Sequence, residues 1–265
     1  MHIYYLCLLF TALFSPWLSA AENTTFSRLD KVAHADALRV CIWPDYYSIT
    51  YRNPKTQQLS GIDIDMANAL GKDLGVAVHF IDSSFATLID DITQDHCDIA
   101  MFAVGITLAR KTKLRFSQPN LISGVFGITT KSNRRITQWS DIDKPDSVVA
   151  VAKGTLHEAV MKEKLKSAQL LILNTPFARE QEVQSGRADV FMTDFPYSQQ
   201  FLTKSDWARR VSPPNNYPKT PYAYAMQPGD DDWHNRIEKF VRDIKKDGRL
   251  LTSAKRHHLE AIIVP

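Results

Sequence analysis

The sequence predicts an α/β protein of two lobes, each a mostly parallel sheet with flanking helices, joined by two crossover strands. Three observations carry that prediction. Short apolar runs alternate with segments of helical period, which is the pattern of βαβ units and parallel strands. The alternation is met twice along the chain. Extended segments join the two sets.

The first set opens with Leu38-Arg39-Val40-Cys41-Ile42-Trp43, a short apolar strand broken by Pro44-Asp45. Gly61-Ile62-Asp63-Ile64-Asp65 leads into a helix with Met66, Ala67, Leu70 and Leu74 at three- and four-residue spacing, ended by Gly75. A strand is expected over residues 76–81, a helix over 88–92 and a third strand over 98–102. The second set has strands expected over 124–130, 147–152, 170–173 and 188–192, with helices over 156–165 and 179–185. A strand over 222–226 and a long amphipathic helix over 231–248 close the chain. Two such sets joined by extended segments suggest two lobes in place of one continuous sheet.

The N-terminus has a different character. Residues 3–14 form an uncharged apolar run, too short to span a bilayer comfortably, followed by Ser19-Ala20-Ala21 before Glu22. Small residues at −3 and −1 place a signal-peptidase cut after Ala21. The alternatives are a membrane anchor or a buried N-terminal helix, and Met1-His2 supplies no basic start. Cys7 lies within the apolar run without a lipobox. No later segment approaches about 18 uninterrupted apolar residues. A secreted, soluble, periplasmic chain is expected, with the polar residues 22–37 as a linker behind the signal peptide 1–21.

Composition excludes some partners. The formal charge is +3, from 32 basic and 29 acidic residues, without a long basic run. Nucleic acid is excluded as a partner, because phosphate binding needs concentrated Lys and Arg. Cys41 and Cys97 remain after the signal; export permits a disulfide, but their apolar surroundings favour two buried thiols. Neither has metal-ligand spacing, and His257-His258 reads as a solvated helix end. Without a Walker loop, a Ser/His/Asp triad or a metal-ligand cluster, no cofactor and no metal is expected.

Taken in order, Leu38-Arg39-Val40, Tyr46 and Gly61-Ile62-Asp63-Ile64-Asp65-Met66-Ala67 resemble the entry of the class II extracellular solute-binding proteins, family 3, of amino-acid-binding type. Cys97-Asp98-Ile99-Ala100, Gly105-Ile106-Thr107-Leu108-Ala109-Arg110 and Phe116-Ser117-Gln118-Pro119 resemble that family's most diagnostic stretch. Gly154-Thr155, Gly186-Arg187-Ala188-Asp189, Met192-Thr193-Asp194 and Asp247-Gly248 complete the resemblance, which spans residues 38–258. It implies a periplasmic-binding-protein-like fold, with 38–122 as the first lobe, 123–220 as a second lobe inserted between two crossover strands near residues 122 and 221, and 221–265 returning to the first. It also implies a monomer that captures a small carboxylate, an amino acid, and delivers it to an ABC transporter permease.

An amino acid is a zwitterion, so its pocket must offer a fixed cation and a fixed anion. The resemblance makes Arg110 the cation for the α-carboxylate, which its planar fork can hold bidentately. It makes Asp194 the anion for the α-ammonium group; the same Asp could instead cap the helix that follows. Thr155 opens a helix after a strand, where free N–H groups favour an anion by about 0.3–1 kcal/mol. Trp43, Tyr46 and Phe102 fall where family members place side-chain-pocket residues. Three aromatics and no obvious pocket acid argue against a strongly charged ligand side chain. Two positions depart from the family pattern: Gly105 stands where Ser or Thr is common, and Leu156 where many have Thr or Gly. Both remove hydroxyl contacts to a carboxylate.

Two other functions stay open. Cyclohexadienyl (prephenate/arogenate) dehydratases resemble this chain as well, and the resemblance would make Glu158 a general acid. A receptor module for a membrane sensor kinase would share the same fold. For the N-terminus the expected outcome is direct: intact-mass measurement of a periplasmic extract finds a mature chain beginning at Glu22. A full-length species held in the inner membrane would contradict it.

Overall fold

The computed structural model describes residues 26–175 and 177–265, so the signal-peptide reading of 1–21 and Cys7 lie outside it. The Ser27 hydroxyl accepts the Asp30 N–H at 3.2 Å and starts helix α1 (Arg28–Ala35). Residues 22–37 were expected as a linker, and over Arg28–Ala35 that expectation is corrected. Val32 is the one buried residue of α1 and joins the core. One buried residue in two turns leaves no apolar period to read.

The first lobe builds from β1 (Ala37–Ile42), a small hairpin of β2 (Tyr51–Arg52) and β3 (Leu59–Ser60), α2 (Ile62–Leu74), β4 (Ala77–Asp82), α3 (Leu88–Thr93) and β5 (Ile99–Gly105). Strands β4, β1 and β5 are parallel neighbours. Every residue of β5 is buried, because helices cover both faces of a parallel sheet and the strand reads as a continuous apolar run. Helix α2 turns Ile62, Met66, Ala67 and Leu70 into the core, as its spacing predicts.

After α4 (Leu108–Lys111) and β6 (Arg115–Phe116), the chain leaves through β7 (Leu121–Ser123) directly into β8 (Val125–Thr130). The second lobe continues with β9 (Val148–Ala152), α5 (Leu156–Lys164), β10 (Gln169–Leu173), α6 (Ala178–Gln184), β11 (Val190–Asp194), α7 (Phe195–Lys204) and β12 (Ala208–Val211). Its five-stranded sheet runs β10-β9-β11-β8-β12, with a parallel trio and two antiparallel strands. The return strand β13 (Thr220–Met226) inserts antiparallel between β5 and β6 of the six-stranded first sheet. Ile122 of β7 stands opposite Pro221 of β13, so the outgoing and returning crossovers are paired. Helices α8 (Asp231–Lys246) and α9 (Arg249–His257) finish the first lobe.

Sequence reading missed β12, whose Ala-Arg-Arg-Val run hides a strand behind two arginines. His257 also differs from expectation: it is not solvated but bonds Asp65 of α2 at 3.0 Å through Nε2. No helix among the described residues is long and apolar enough to cross a membrane.

Cys41 and Cys97 form a disulfide, which overturns the expectation of two thiols. The parallel pairing of β1 with β5 brings Cys97, two residues ahead of β5, against Cys41 of β1, with Cα atoms 5.6 Å apart. The bridge closes a loop of sequence separation 56. Loss of loop-closure entropy from the unfolded chain then stabilises the fold by about 4 kcal/mol. A Cys41→Ser/Cys97→Ser double variant should melt roughly 10 °C lower in scanning calorimetry. Equal melting of the variant and the oxidised parent would contradict a structural bridge.

Candidate functional site

Ligands of open α/β sheets bind beyond the carboxyl ends of the strands. Here those ends, from both sheets, converge on one cleft. The loop after β1 brings Trp43, Asp45 and Tyr46, and the loop after β4 brings Ser83 and Phe85. Strand β5 ends at Gly105, β9 leads to Thr155, β10 to Arg179 and Glu180, and β11 ends at Asp194. The outer cleft has a volume of about 180 Å³. Beneath it a recess of about 10 Å³ is bordered by Tyr46, Ala103, Gly105, His157, Asp194 and Tyr222. That volume is on the scale of one water molecule.

The lobes touch across this cleft. Gly154 has φ +76°, and a Cβ there would lie 2.5 Å from the Phe85 carbonyl oxygen and 2.6 Å from Ala86. Only glycine lets the start of α5 approach the first lobe so closely. The Tyr47 and Tyr197 rings meet at 5.0 Å, and the Lys204 ammonium lies 4.5 Å from the Tyr47 and Tyr51 ring centres.

Asp194 is fully buried. Its Oδ1 accepts the Tyr197 N–H at 3.1 Å and caps α7, while Oδ2 accepts the Tyr46 hydroxyl and, at 3.1 Å, the Tyr222 hydroxyl. Cap and cleft group are thus the same residue. Burial pushes its carboxyl above the ordinary range, and the donors from Tyr46, Tyr197 and Tyr222 offset part of that rise.

Arg110 sits on α4, whose first turn is capped by Thr107. Its guanidinium is buried behind the recess and stacks 5.2 Å over the Phe85 ring. Nη1 donates to the Gly105 carbonyl and Nη2 to the Gly154 carbonyl, each at 2.9 Å. Among the described residues, no carboxylate is within salt-bridge distance of it. Burial lowers its pKa to about 10, opposed by the neighbouring Tyr222 and Tyr46.

The two departures from the family pattern face each other. A Cβ on Gly105 would lie 3.4 Å from Arg110 Nη1 and 3.6 Å from Leu156 Cδ2. The Leu156 side chain fills the space that opens where Gly105 lacks one. Thr155 borders both the cleft and the recess, yet its hydroxyl already donates to Ala152 O at 2.7 Å and accepts the Glu158 N–H at 3.4 Å.

Phe102 does not border the cleft, which corrects its placement as a pocket residue. It is fully buried in the core, its ring 5.0 Å from that of Phe85. Successive strand residues face opposite sides, and it is Ala103, at φ +49°, that borders the recess. Glu158 also lies off the wall. Its Oε2 accepts the Gly154 N–H at 2.6 Å and its Oε1 pairs with Lys162 at 2.5 Å. Burial would raise this carboxyl, but Lys162 and the Gly154 N–H outweigh it and hold the pKa below the ordinary range.

Sequence reading missed the second lobe's main charged group. Arg179 is buried, donates from Nε to Glu180 Oε1 at 2.7 Å and from Nη1 to Met192 O at 3.0 Å, and stacks 4.5 Å over the Tyr197 ring. The Tyr197 hydroxyl donates to the same Glu180 oxygen at 2.8 Å. Glu180 and the half-buried Asp45 both border the outer cleft, which overturns the expectation of a site without an acid. The usable signal was position: a charged pair opening the helix directly beyond a parallel strand. His157 was missed as well. Burial, with Arg179 and Arg110 nearby, lowers its pKa to about 3, so it is neutral at physiological pH.

The profile of the bacterial extracellular solute-binding proteins, family 3, matches residues 38–260. Cyclohexadienyl dehydratase of Pseudomonas aeruginosa is 28% identical over 249 residues, covering 91% of this chain and 90% of that protein. The L-cystine-binding protein TcyJ of Escherichia coli is 22% identical over 222 residues, covering 84% and 82%. The crystal structure of an ancestral amino acid-binding protein, a precursor of cyclohexadienyl dehydratase, superposes with a TM-score of 0.80 at 32% identity, covering 87% of this chain and 99% of that one. The matched span carries both sheets and the converging strand ends of the cleft, and the chain belongs to the bacterial extracellular solute-binding proteins, family 3.

Proposed function

We propose that the protein captures an amino acid or closely related carboxylate between its lobes, in the periplasm, and delivers it to an ABC transporter. One observation carries this: Arg110 and Asp194 are buried opposite charges with no ionic partner of their own among the described residues. A zwitterion supplies both missing partners at once. Its carboxylate would take Arg110 and the N–H groups opening α5 at Thr155, in place of the Gly154 carbonyl. Its ammonium would take Asp194, in place of the Tyr46 and Tyr222 hydroxyls. Trp43 and Tyr46 would then enclose the rest of the ligand, and Gly105 would leave room for the Arg110 fork.

Entry requires the lobes to separate. The paired crossovers β7 and β13 would act as the hinge, with residues 38–122 and 221–265 moving as one lobe and 123–220 as the other. Named relatives that bind L-cystine, arginine or glutamine support a carrier of this kind.

The likeness to cyclohexadienyl dehydratase favours a second reading, an enzyme acting on prephenate or arogenate. It is the weaker one here. A general acid must hold its proton near neutral pH and reach the substrate, whereas Glu158 is ion-paired, held below the ordinary range, and off the cleft wall.

Calorimetry against a panel of amino acids tests the proposal. Arg110→Ala should weaken the best ligand by a hundredfold or more, since removing one partner of a buried pair costs about 3–5 kcal/mol. Glu158→Gln should leave its affinity unchanged. Unchanged affinity in Arg110→Ala would remove that residue from the site. Prephenate consumption that vanishes in Glu158→Gln would replace the carrier with the enzyme.

A further inference from the structure

Helix α7 meets the first lobe at both of its ends. At its start, Asp194 accepts the Tyr46 hydroxyl in the recess. At its last residue, the Lys204 ammonium lies 4.5 Å from the ring centres of both Tyr47 and Tyr51. Between these ends the Tyr197 ring meets the Tyr47 ring at 5.0 Å. Tyr197 and Lys204 stand about two helical turns apart and so share one face of α7. On the first lobe, Tyr46 borders the recess, whereas its neighbour Tyr47 borders neither recess nor cleft, and nor do Tyr51 and Lys204.

Among the described residues, no carboxylate lies within salt-bridge distance of the Lys204 ammonium. Partial desolvation at the lobe boundary lowers its pKa, although much of the residue stays exposed. The interaction that offsets this desolvation is aromatic. The Tyr47 and Tyr51 rings lie 4.7 Å apart and share the one ammonium. A ring face attracts a cation through its quadrupole, and more strongly where water is partly excluded. Tyr47 is buried and Tyr51 belongs to the β2–β3 hairpin, so the seat is part of the first lobe's own fold.

We propose that Lys204, seated on Tyr47 and Tyr51, latches the two lobes together outside the ligand site and so sets how long a captured molecule is held. This rests on the reading of a ligand captured between lobes that open and close. A contact made only while the lobes meet contributes its whole strength to the closing equilibrium. Because the latch touches no ligand atom, it scales every affinity by one factor and leaves preferences among ligands alone. Lys204 is in this sense a positioning residue. It ends the helix that Asp194 caps, so seating it brings Asp194 toward the Tyr46 hydroxyl.

Calorimetry of the mature protein with the standard amino acids tests the latch, with stopped-flow tryptophan fluorescence following dissociation through Trp43 on the cleft. Lys204→Met keeps an apolar stem and removes the charge. It should weaken every amino acid that the parent binds by one common factor, about three- to tenfold, through faster dissociation. Lys204→Arg keeps a cation over the rings and should hold affinity within about twofold of the parent. Tyr51→Leu should match Lys204→Met, and the double variant should lose little more than either alone, because both changes break one contact. Unchanged affinity in Lys204→Met, or a loss that Lys204→Arg shares in full, would overturn the latch while leaving the amino-acid clamp standing. A loss that differs among amino acids would place Lys204 in the ligand site and overturn the latch as well. A parent that binds no amino acid would overturn the clamp, and the latch with it.

Discussion

Two buried, oppositely charged groups, each solvated by the opposite lobe, are the constraint on which the rest of this protein depends. Asp194 stands on the second lobe, and its hydroxyl donors Tyr46 and Tyr222 stand on the first. Arg110 stands on the first lobe, and one of its acceptors is the Gly154 carbonyl of the second. Neutral dipoles replace water at both sites when the lobes meet. The cost of burying either charge alone would be several kcal/mol. In the proposed function, lobe closure and charge solvation would be the same event, and a ligand would act by exchanging these neutral partners for charged ones.

The scaffold is arranged to hold the first-lobe half of this contact still. The Cys41–Cys97 bridge ties β1 to the approach of β5, the two strands whose ends carry Tyr46 and Gly105. Asp63, buried in the first turn of α2, accepts the Ala103 N–H at 2.8 Å and so pins the recess wall where its backbone turns to positive φ. Burial raises the Asp63 carboxyl to about 7, against the Ala103 N–H that lowers it. Tyr222 lies on β13 opposite Leu121 of β7, so an Asp194 donor sits inside the paired crossovers. Any motion of that pair would move a donor directly at the charged site.

Much of this was legible in the sequence. The strand–helix alternation located all six strands of the two parallel trios, because a buried parallel strand is a continuous apolar run. Arg110, Asp194 and Thr155 were placed by ordered motifs; Thr155 and Asp194 border the recess, and Arg110 lies buried behind it without bordering cleft or recess. What escaped has physical reasons. Phe102 and Ala103 differ by one position on a strand, and sequence alone did not reveal which faces the recess. Arg179-Glu180 opened an expected helix without being singled out, because burial of a charged pair depends on the fold around it. Helix α1 has too few buried residues to leave a pattern. The disulfide depended on the register of β1 against β5, which composition does not specify.

The central claim is that the cleft clamps a molecule carrying both charges. Denaturing mass spectrometry of the small molecules retained by gently purified mature protein tests it most directly. The account predicts one unmodified molecule per chain that carries both an amine and a carboxylate. A retained molecule lacking either group, or the product of a dehydration, would contradict it.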